Sequence, residues 1–150
     1  MLVITDSIDI NVKPEKVFQF LKNLRDDESY RKWHPDHVTL RWLRGEPFQE
    51  GSILYAEERI QGKLYKLKLR IFRVVPNREI SYGPMFPLSL FVPGYSFLIE
   101  PKGEDSCTFT ATSKLRAGPL GKKALKRVIE LARQHMKEEG ENLKRILEQG

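Results

Sequence analysis

The sequence predicts an α+β fold in which a curved antiparallel β-sheet wraps around a long C-terminal α-helix. Three observations support this prediction. Segments of alternating apolar and polar residues recur along the chain and are joined by short turns, as in antiparallel sheets. A helical pattern interrupts these segments near the start of the chain. A long amphipathic helix, from roughly Leu120 to Glu148, then closes it. Sheet and helix therefore form two packed layers.

The first elements follow from periodicity and from one proline. LVITDSIDINV alternates apolar and polar residues and is predicted as the first strand. Pro14 suits an early helical position, and PEKVFQFLKNLRD places its apolar residues on one helical face. DDESYRKWHPDH, which is polar and aromatic and contains a proline, is predicted as a short second helix or an irregular loop.

The middle of the chain is predicted to form about six antiparallel strands. Gln61-Gly62 separates two alternating runs, which is a strong signal of a two-residue hairpin turn. GPMFPLSLFVPG contains proline and glycine and is predicted as an apolar loop or a broken strand. The predicted strands lie in VTLRWL, SILYAEERI, KLYKLKLRIFRVV, PNREISYGPMF, YSFLIEP and CTFTATSKLR.

Length and composition predict one domain over residues 1–150, because 150 residues with 40% hydrophobic content can bury one core. No apolar run reaches the 18 residues of a membrane span, so no membrane partner is expected. No secretory signal pattern opens the sequence, and the single cysteine, Cys107, fits a reducing compartment, so we expect a cytoplasmic protein. We expect a monomer or a homodimer.

The formal net charge of +6 does not by itself predict nucleic-acid binding. Such binding requires basic residues gathered on one face with stacking aromatic residues among them. The basic residues of GKLYKLKLRIFR instead alternate with apolar ones, and those of the final helix lie beside glutamates. A solvated surface is therefore expected, and no nucleic-acid partner.

The chain resembles the SRPBCC superfamily, the START-like helix-grip proteins that include polyketide cyclases and plant pathogenesis-related ligand binders. The resemblance spans the whole chain and rests on INVKPEKVFQFL, Gly51, RVVPNREISY and the terminal helix. It implies a helix-grip fold with a deep apolar cavity between the sheet and the long helix. It also implies a hydrophobic or aromatic small-molecule ligand.

A histidine and a glutamate interrupt the apolar stripe of the terminal helix. His135 and Glu139 lie one turn apart, in series with Leu125, Val128 and Ala132. A histidine and a carboxylate at this spacing can bind one metal ion together. A helix-surface hydrogen bond is the alternative, but a carboxylate within an inward stripe is costly to bury unless it is paired or metal-bound.

The predicted hairpin supplies a second carboxylate. If Gln61-Gly62 is a two-residue turn, Glu58 lies opposite Tyr65 and shares the inward face with Leu54 and Ala56. A turn longer by one residue would place Glu57 inside instead. We favour Glu58 because its neighbours two positions away are apolar.

The two remaining histidines, His34 and His37, lie together in KWHPDHV, where a loop could close over the cavity. Either could be structural. With His135, Glu139 and Glu58, one of them would complete a two-histidine, two-carboxylate set that suits zinc.

This ligand pattern resembles that of the 2,4-diacetylphloroglucinol hydrolases, zinc enzymes that cleave the bond between an aromatic ring and an acetyl group. The resemblance implies zinc as the cofactor, held by His135, Glu139, Glu58 and a loop histidine. We favour His34 as that ligand, which leaves His37 to face the substrate or transfer a proton. The chain is shorter than those enzymes and has no fourth histidine for their further catalytic histidine.

The expected activity is zinc-dependent hydrolysis of a carbon–carbon bond in a small aromatic or polyketide-like ketone. Zinc polarises carbonyl groups and lowers the pKa of bound water to about 7. His37, Tyr65 and Tyr82 are the candidate catalytic groups for proton transfer. Two alternatives remain: a non-catalytic binder of lipids or other hydrophobic molecules, and a metal-free polyketide cyclase or dehydratase. The aromatic residues predicted to line the substrate cavity are Trp33, Phe72, Phe86, Phe91 and Phe97.

Overall fold

The computed structural model describes residues 1–150 as a seven-stranded antiparallel sheet with a long helix packed on its concave face. The strand order is β1-β7-β6-β5-β4-β3-β2, so the predicted α+β helix-grip fold is confirmed. The elements are β1 (Leu2–Ile10), α1 (Pro14–Lys22), α2 (Asp27–Trp33), β2 (His37–Arg44), β3 (Ile53–Ile60), β4 (Lys63–Val75), β5 (Glu79–Pro84), β6 (Gly94–Gly103), β7 (Ser106–Leu115), α3 (Pro119–Ala124) and α4 (Lys126–Gln149).

Two helices connect the edge strands of the sheet, and local sequence explains where each begins. Pro14 starts α1 at a position where its missing N–H is not needed. Asp26 caps α2, because its carboxylate accepts a hydrogen bond from the backbone N–H of Ser29 at 2.9 Å. This cap decides between the two sequence predictions for DDESYRKWHPDH, and the segment is a helix as far as Trp33.

The turn between β3 and β4 has the predicted two-residue form. Gln61 and Gly62 have φ angles of 53° and 80°, as in the mirror-image turns that match the twist of hairpins. Glu58 therefore lies opposite Tyr65, and Ala56 lies opposite Leu67. This register turns Glu58, rather than Glu57, toward the concave face.

A β-bulge near the start of β2 brings a histidine to the same face. His37 pairs with Glu58, whereas Thr39 pairs with Glu57, so Val38 is an extra residue. The bulge allows both His37 and Leu40, three positions apart, to be buried at 1% exposure. His37, Glu58 and Tyr65 consequently form a row across three neighbouring strands.

The C-terminal helical region is divided into two helices rather than forming the single helix predicted. The backbone of Leu125 leaves the helical region, with ψ near 9°, between α3 and α4. Leu125 and Val128, predicted to face inward, are 37% and 48% exposed, although Val128 also lines the space between α4 and the sheet. No helix has both the length and the apolar character required to cross a membrane.

The middle of α4 packs closely on β1. At Gly140, an added Cβ atom would lie 3.3 Å from Ile8, so glycine permits this approach. Leu143, one turn later, is fully buried and joins the main core. The core lies between α1, α4 and the concave sheet face, and it includes Ile4, Ile10, Val17, Leu21, Ile80, Ile99 and Phe109.

Replacing Gly62 with alanine should destabilise the fold by about 1 to 2 kcal/mol, because the left-handed conformation penalises any Cβ atom. No atom lies within 4 Å of that position, so backbone strain is the sole cost. Gly118→Ala is the matched control, since φ there is −77° and the space is also open. Urea unfolding should show a change of less than about 0.5 kcal/mol for the control. Equal stability of the two variants would contradict this account of the turn.

Candidate metal centre and cavity

A cavity of about 250 Å³ lies between the concave sheet face and α4. It is lined by 25 residues, of which 19 are hydrophobic, so it suits an apolar ligand. Four of the aromatic side chains predicted from the sequence line it: Trp33, Tyr65, Tyr82 and Phe97. Its polar side chains include Glu58, His135 and Glu139. An apolar chamber with one cluster of titratable groups is a common form of active site.

Three phenylalanines predicted to line the cavity lie outside it. Phe72, Phe86 and Phe91 are 48%, 77% and 63% exposed. Phe72 follows the buried Ile71 in β4, so strand alternation turns it to the outer face, where its ring lies over Gly83 and Gly94. Phe86 and Phe91 flank a short 3-10 turn, outside the strands that form the cavity wall. Hydrophobicity alone could not show whether a phenylalanine lies inside the cavity or on the outer surface.

His135 lies between two carboxylates contributed by opposite layers of the fold. Its Nε2 atom is 3.2 Å from Oε1 of Glu58 on β3 and 3.2 Å from Oε2 of Glu139 on α4. One N–H cannot point at both oxygens, and neither ring nitrogen of His135 has a hydrogen-bond partner of acceptable geometry. A buried histidine without hydrogen bonds is unusual, because such groups are costly to desolvate. The arrangement therefore resembles ligands that face a common point.

His37 directs its free nitrogen to the same place. Its Nδ1 atom is 2.9 Å from the carbonyl oxygen of Tyr30, so Nδ1 carries the proton and donates it. The other nitrogen, Nε2, is 2.9 Å from Oε2 of Glu139 and donates to it when the ring is protonated; in the neutral ring it carries the lone pair that a cation would take. A backbone carbonyl that holds Nδ1–H while Nε2 binds the ion is the usual support for a metal-ligating histidine.

His34, by contrast, is fully occupied by protein partners. The backbone N–H of Asp36 donates to Nδ1 of His34 at 2.9 Å, so the lone pair of the ring is used. Its Nε2–H donates to Oε1 of Glu138 at 2.9 Å. His34, Asp36 and His135 lie close enough together to hold a cation. The hydrogen bond from Asp36, however, already uses the lone pair on Nδ1 of His34 that a cation would need. Both ring nitrogens of His34 are thus used within the protein, whereas Nε2 of His37 is directed at Glu139.

Neighbouring side chains hold the cluster in place. The Tyr30 ring stacks on His37 at 3.8 Å, and its hydroxyl donates to Glu58. The indole N–H of Trp33 donates to the backbone carbonyl of Glu139 at 2.9 Å. The amide of Asn142 donates to the carbonyl of Trp33 at 3.0 Å. These bonds tie α2 to α4 and fix the loop histidines relative to Glu139.

The buried charges in the cluster shift one another's pKa values. Burial acts to lower the pKa of His135, but the charges and proximity of Glu139 and Glu58 outweigh it and raise that pKa to about 11. Burial acts to raise the pKa of Glu139 and Glu58, but His135 and then His37 hold both below their ordinary value. Without a metal, His135 is therefore an imidazolium between two carboxylates at neutral pH.

The supporting residues were not identified from the sequence as parts of the cluster. Asp36 and Glu138 determine how His34 is used, and Asn142 anchors α2. Asp36 carries a weak signal, because it lies between the two loop histidines. Glu138 and Asn142 carry none, because charged and amide residues are common on any surface helix.

Comparison with known proteins agrees with this architecture. A family model described as polyketide cyclase / dehydrase and lipid transport matches residues 1–148. The chain belongs to that family. No curated protein matches it significantly by sequence. The predicted START-like superfamily is thus confirmed, whereas the narrower resemblance to 2,4-diacetylphloroglucinol hydrolases gains no support from these comparisons.

Several solved structures share the fold at low sequence identity. Norcoclaurine synthase from Thalictrum flavum is 15% identical, with a TM-score of 0.74 over 99% of this chain and 87% of its own. The protein TTHA0849 from Thermus thermophilus is 14% identical, with a TM-score of 0.74 over 96% and 95%. A START superfamily protein from Mycobacterium smegmatis is 19% identical, with a TM-score of 0.63 over 94% and 98%. Such identities show the fold alone.

Tyr82 should remain protonated in the native protein at about pH 11, because burial, and then the charge of Glu139, raise its pKa well above 10. Burial likewise raises the pKa of Tyr95 to about 12. At that pH, native wild type and native Tyr82→Phe should therefore show the same tyrosinate absorbance. After unfolding, the absorbance of the wild type should exceed that of the variant by one tyrosinate. Native stability should fall above about pH 10, since the unfolded chain then binds fewer protons than the native one. Loss of native absorbance in Tyr82→Phe would contradict the assignment.

Proposed function

We propose that this protein is a zinc-dependent hydrolase that cleaves a carbon–carbon bond in a small aromatic or polyketide-like ketone. The observation that carries the proposal is the cluster of His37, Glu58, His135 and Glu139 beside the apolar cavity. In it, ligand atoms of His37, His135 and Glu139 all lie within 4.8 Å of one another, Glu58 lies 3.2 Å from His135, and neither ring nitrogen of His135 has a hydrogen-bond partner. His37, rather than His34, is the proposed loop ligand.

The charges of the cluster fit a divalent cation. Glu58 and Glu139 carry two negative charges into a site where Glu139 is only 14% exposed and Glu58 13%. With both histidines neutral, one doubly charged ion balances them. Buried carboxylates require such compensation, since an isolated buried charge costs several kcal/mol or takes up a proton.

The distances also fit. Zinc bonds to nitrogen and oxygen of about 2.0 to 2.1 Å place tetrahedral ligand atoms about 3.3 Å apart. In this protein, Nε2 of His135 lies 3.2 Å from both carboxylates, and Nε2 of His37 lies 2.9 Å from Glu139. Two nitrogens and two oxygens form a donor set that zinc accepts, and an added ligand would expand the shell to five. The residues present therefore fit the ion.

The proposed reaction uses the cavity and its tyrosines. A zinc ion held by the cluster would polarise the ketone and supply a nucleophilic water at neutral pH. Water adds to the carbonyl carbon, the bond from that carbon to the ring breaks, and the ring carbon takes up a proton. The products are the deacylated ring and a carboxylic acid. Tyr82, kept protonated by burial, is the proposed proton donor. Tyr65 lies on β4, directly opposite Glu58 on β3.

Family membership supports the ligand class more than the reaction. The family's description names polyketide cyclases, dehydrases and lipid transport, and each of these activities involves hydrophobic molecules. A metal-free cyclase or dehydratase is the second candidate, and the observation that favours it is the imidazolium form of His135. Such a group, paired with Glu58 and Glu139, could transfer protons without an ion. Metal content separates the two candidates.

Tag-free protein should contain one zinc per chain by mass spectrometry of the metal, or take up one from a zinc buffer. His37→Ala should weaken zinc binding by more than about 100-fold, because it removes a ligand. His34→Ala is the matched control, and it should change the affinity by less than about tenfold because it contributes no ligand atom. Stronger loss in His34→Ala than in His37→Ala would reverse the proposed assignment.

Neighbouring glutamates on α4 provide a second matched pair. Glu139→Gln should lose zinc, whereas Glu138→Gln, which alters only the partner of His34, should retain it. Wild-type protein that neither contains nor takes up zinc would exclude the metal centre and favour the metal-free reaction.

Filling the cavity should abolish ligand binding while leaving the metal in place. Ala132 lines the cavity from α4, and Ala132→Trp should remove the fluorescence enhancement of anilinonaphthalene sulfonate. Arg133→Trp, on the exposed side of α4, is the control and should bind the probe as the wild type does. The same two variants should differ in activity on phenols that carry an acetyl group on a ring carbon. Arg133→Trp should still release acetate from them, and Ala132→Trp should not. Unchanged probe binding in Ala132→Trp would show that the cavity is not the ligand site.

A further inference from the structure

A segment without charge carries exposed apolar side chains on the outside of the fold. Residues 80–99 contain no charged residue. Within this segment, between β5 and β6, four large apolar residues are between 47% and 77% exposed: Phe86, Leu88, Leu90 and Phe91. Monomeric proteins rarely expose a contiguous group of this kind unless it contacts something.

The neighbouring segment is strongly basic. Residues 106–129 contain no acidic residue, and they contain as many positive charges as the net charge of the whole chain, +6. All six basic residues are exposed: Lys114, Arg116, Lys122, Lys123, Lys126 and Arg127. Apolar residues stand among them, with Leu120 85% exposed, Val128 48% and Leu125 37%. This combination of basic and apolar residues is characteristic of segments that lie on lipid surfaces.

The two segments meet beside the cavity. The backbone N–H of Arg116 donates to the carbonyl of Phe91 at 2.7 Å, which joins the basic segment to the apolar one. Val128 belongs to the basic segment, is half exposed, and also lines the cavity. Tyr95 on β6 and Ser113 on β7, which belong to the uncharged and the basic segment respectively, line the cavity as well. The combined surface, residues 85–92 with 114–128, is called the basic apolar face below.

We propose that the basic apolar face binds the surface of an anionic lipid bilayer and places the cavity opening against it. Phe86, Phe91 and Leu120 insert among the acyl chains at the boundary, and the six basic residues contact anionic headgroups. A hydrophobic ligand could then pass between bilayer and cavity without crossing water. This is contact with one leaflet by a folded protein, and it departs from the sequence expectation of no membrane partner. It does not depend on the metal centre.

Charge complementarity favours a lipid surface over a second copy of the chain. In a symmetric dimer through this face, six positive charges on each copy would lie against six on the other, with no acidic residue of the segment to pair with them. An anionic bilayer satisfies both the charges and the exposed apolar side chains. A polyanion such as nucleic acid would satisfy the charges alone.

The test is co-sedimentation of the wild-type chain with vesicles of phosphatidylcholine, or of phosphatidylcholine with about 30 mol % phosphatidylserine. We expect binding to the anionic vesicles that weakens as salt is raised. Lys122→Ser with Lys123→Ser should lower the partition coefficient about 30-fold, at about fivefold per basic residue near the surface. Lys13→Ser with Lys16→Ser removes the same charge from exposed positions at the opposite end of the sheet and should change it less than about threefold.

The apolar part has its own variant, Phe86→Ser with Phe91→Ser, which should weaken binding to anionic vesicles more than about tenfold. The proposal is overturned if wild-type protein binds neither kind of vesicle, or if the Lys13 pair lowers binding as much as the Lys122 pair. It is also overturned if the phenylalanine variant binds as the wild type does, or if light scattering shows a dimer that this variant dissociates. Zinc content, measured on the same samples, tests the metal centre separately.

Discussion

Two buried carboxylates facing one histidine nitrogen form the constraint on which the rest of the site depends. Glu58 comes from the sheet and Glu139 from α4, and both approach Nε2 of His135 to 3.2 Å. Like charges brought together in an apolar interior require a cation or a proton donor. Sheet and helix must be held in fixed register for this to occur, and the fold provides that through the β3–β4 turn, the β2 bulge and the bonds of Trp33 and Asn142.

The loop between α2 and β2 determines which histidine serves the cluster. His34 and His37 are the same residue type, three positions apart, on either side of Pro35 and Asp36. A backbone N–H uses the lone pair of His34, whereas a backbone carbonyl accepts from Nδ1 of His37 and leaves its Nε2 directed at Glu139. Backbone N–H and C=O groups, which are present at nearly every residue, thus give the two histidines different hydrogen bonds. Metal-free chemistry would rely on the same arrangement, because His37 would still contact Glu139.

Aromatic and aliphatic residues serve two surfaces of this protein. Trp33, Tyr82 and Phe97 form the wall of the cavity, while Phe86 and Phe91 stand outside beside a group of exposed lysines and arginines. Since Val128 belongs to both regions, the outer surface and the cavity meet at one edge of α4. A ligand that prefers lipid to water would meet apolar residues along this route, which relates the surface to the hydrophobic ligands of the family.

The sequence by itself determined the sheet, the helices and the register of the central hairpin, because these depend on local periodicity and on Gln61-Gly62. It also indicated His135, Glu139 and Glu58, since their positions follow from helical and strand spacing. It could not assign His34 and His37, or detect the break at Leu125. Nor could it separate the inner from the outer phenylalanines. These features depend on which backbone and side-chain groups meet across elements far apart in the chain, and only the tertiary structure decides those contacts.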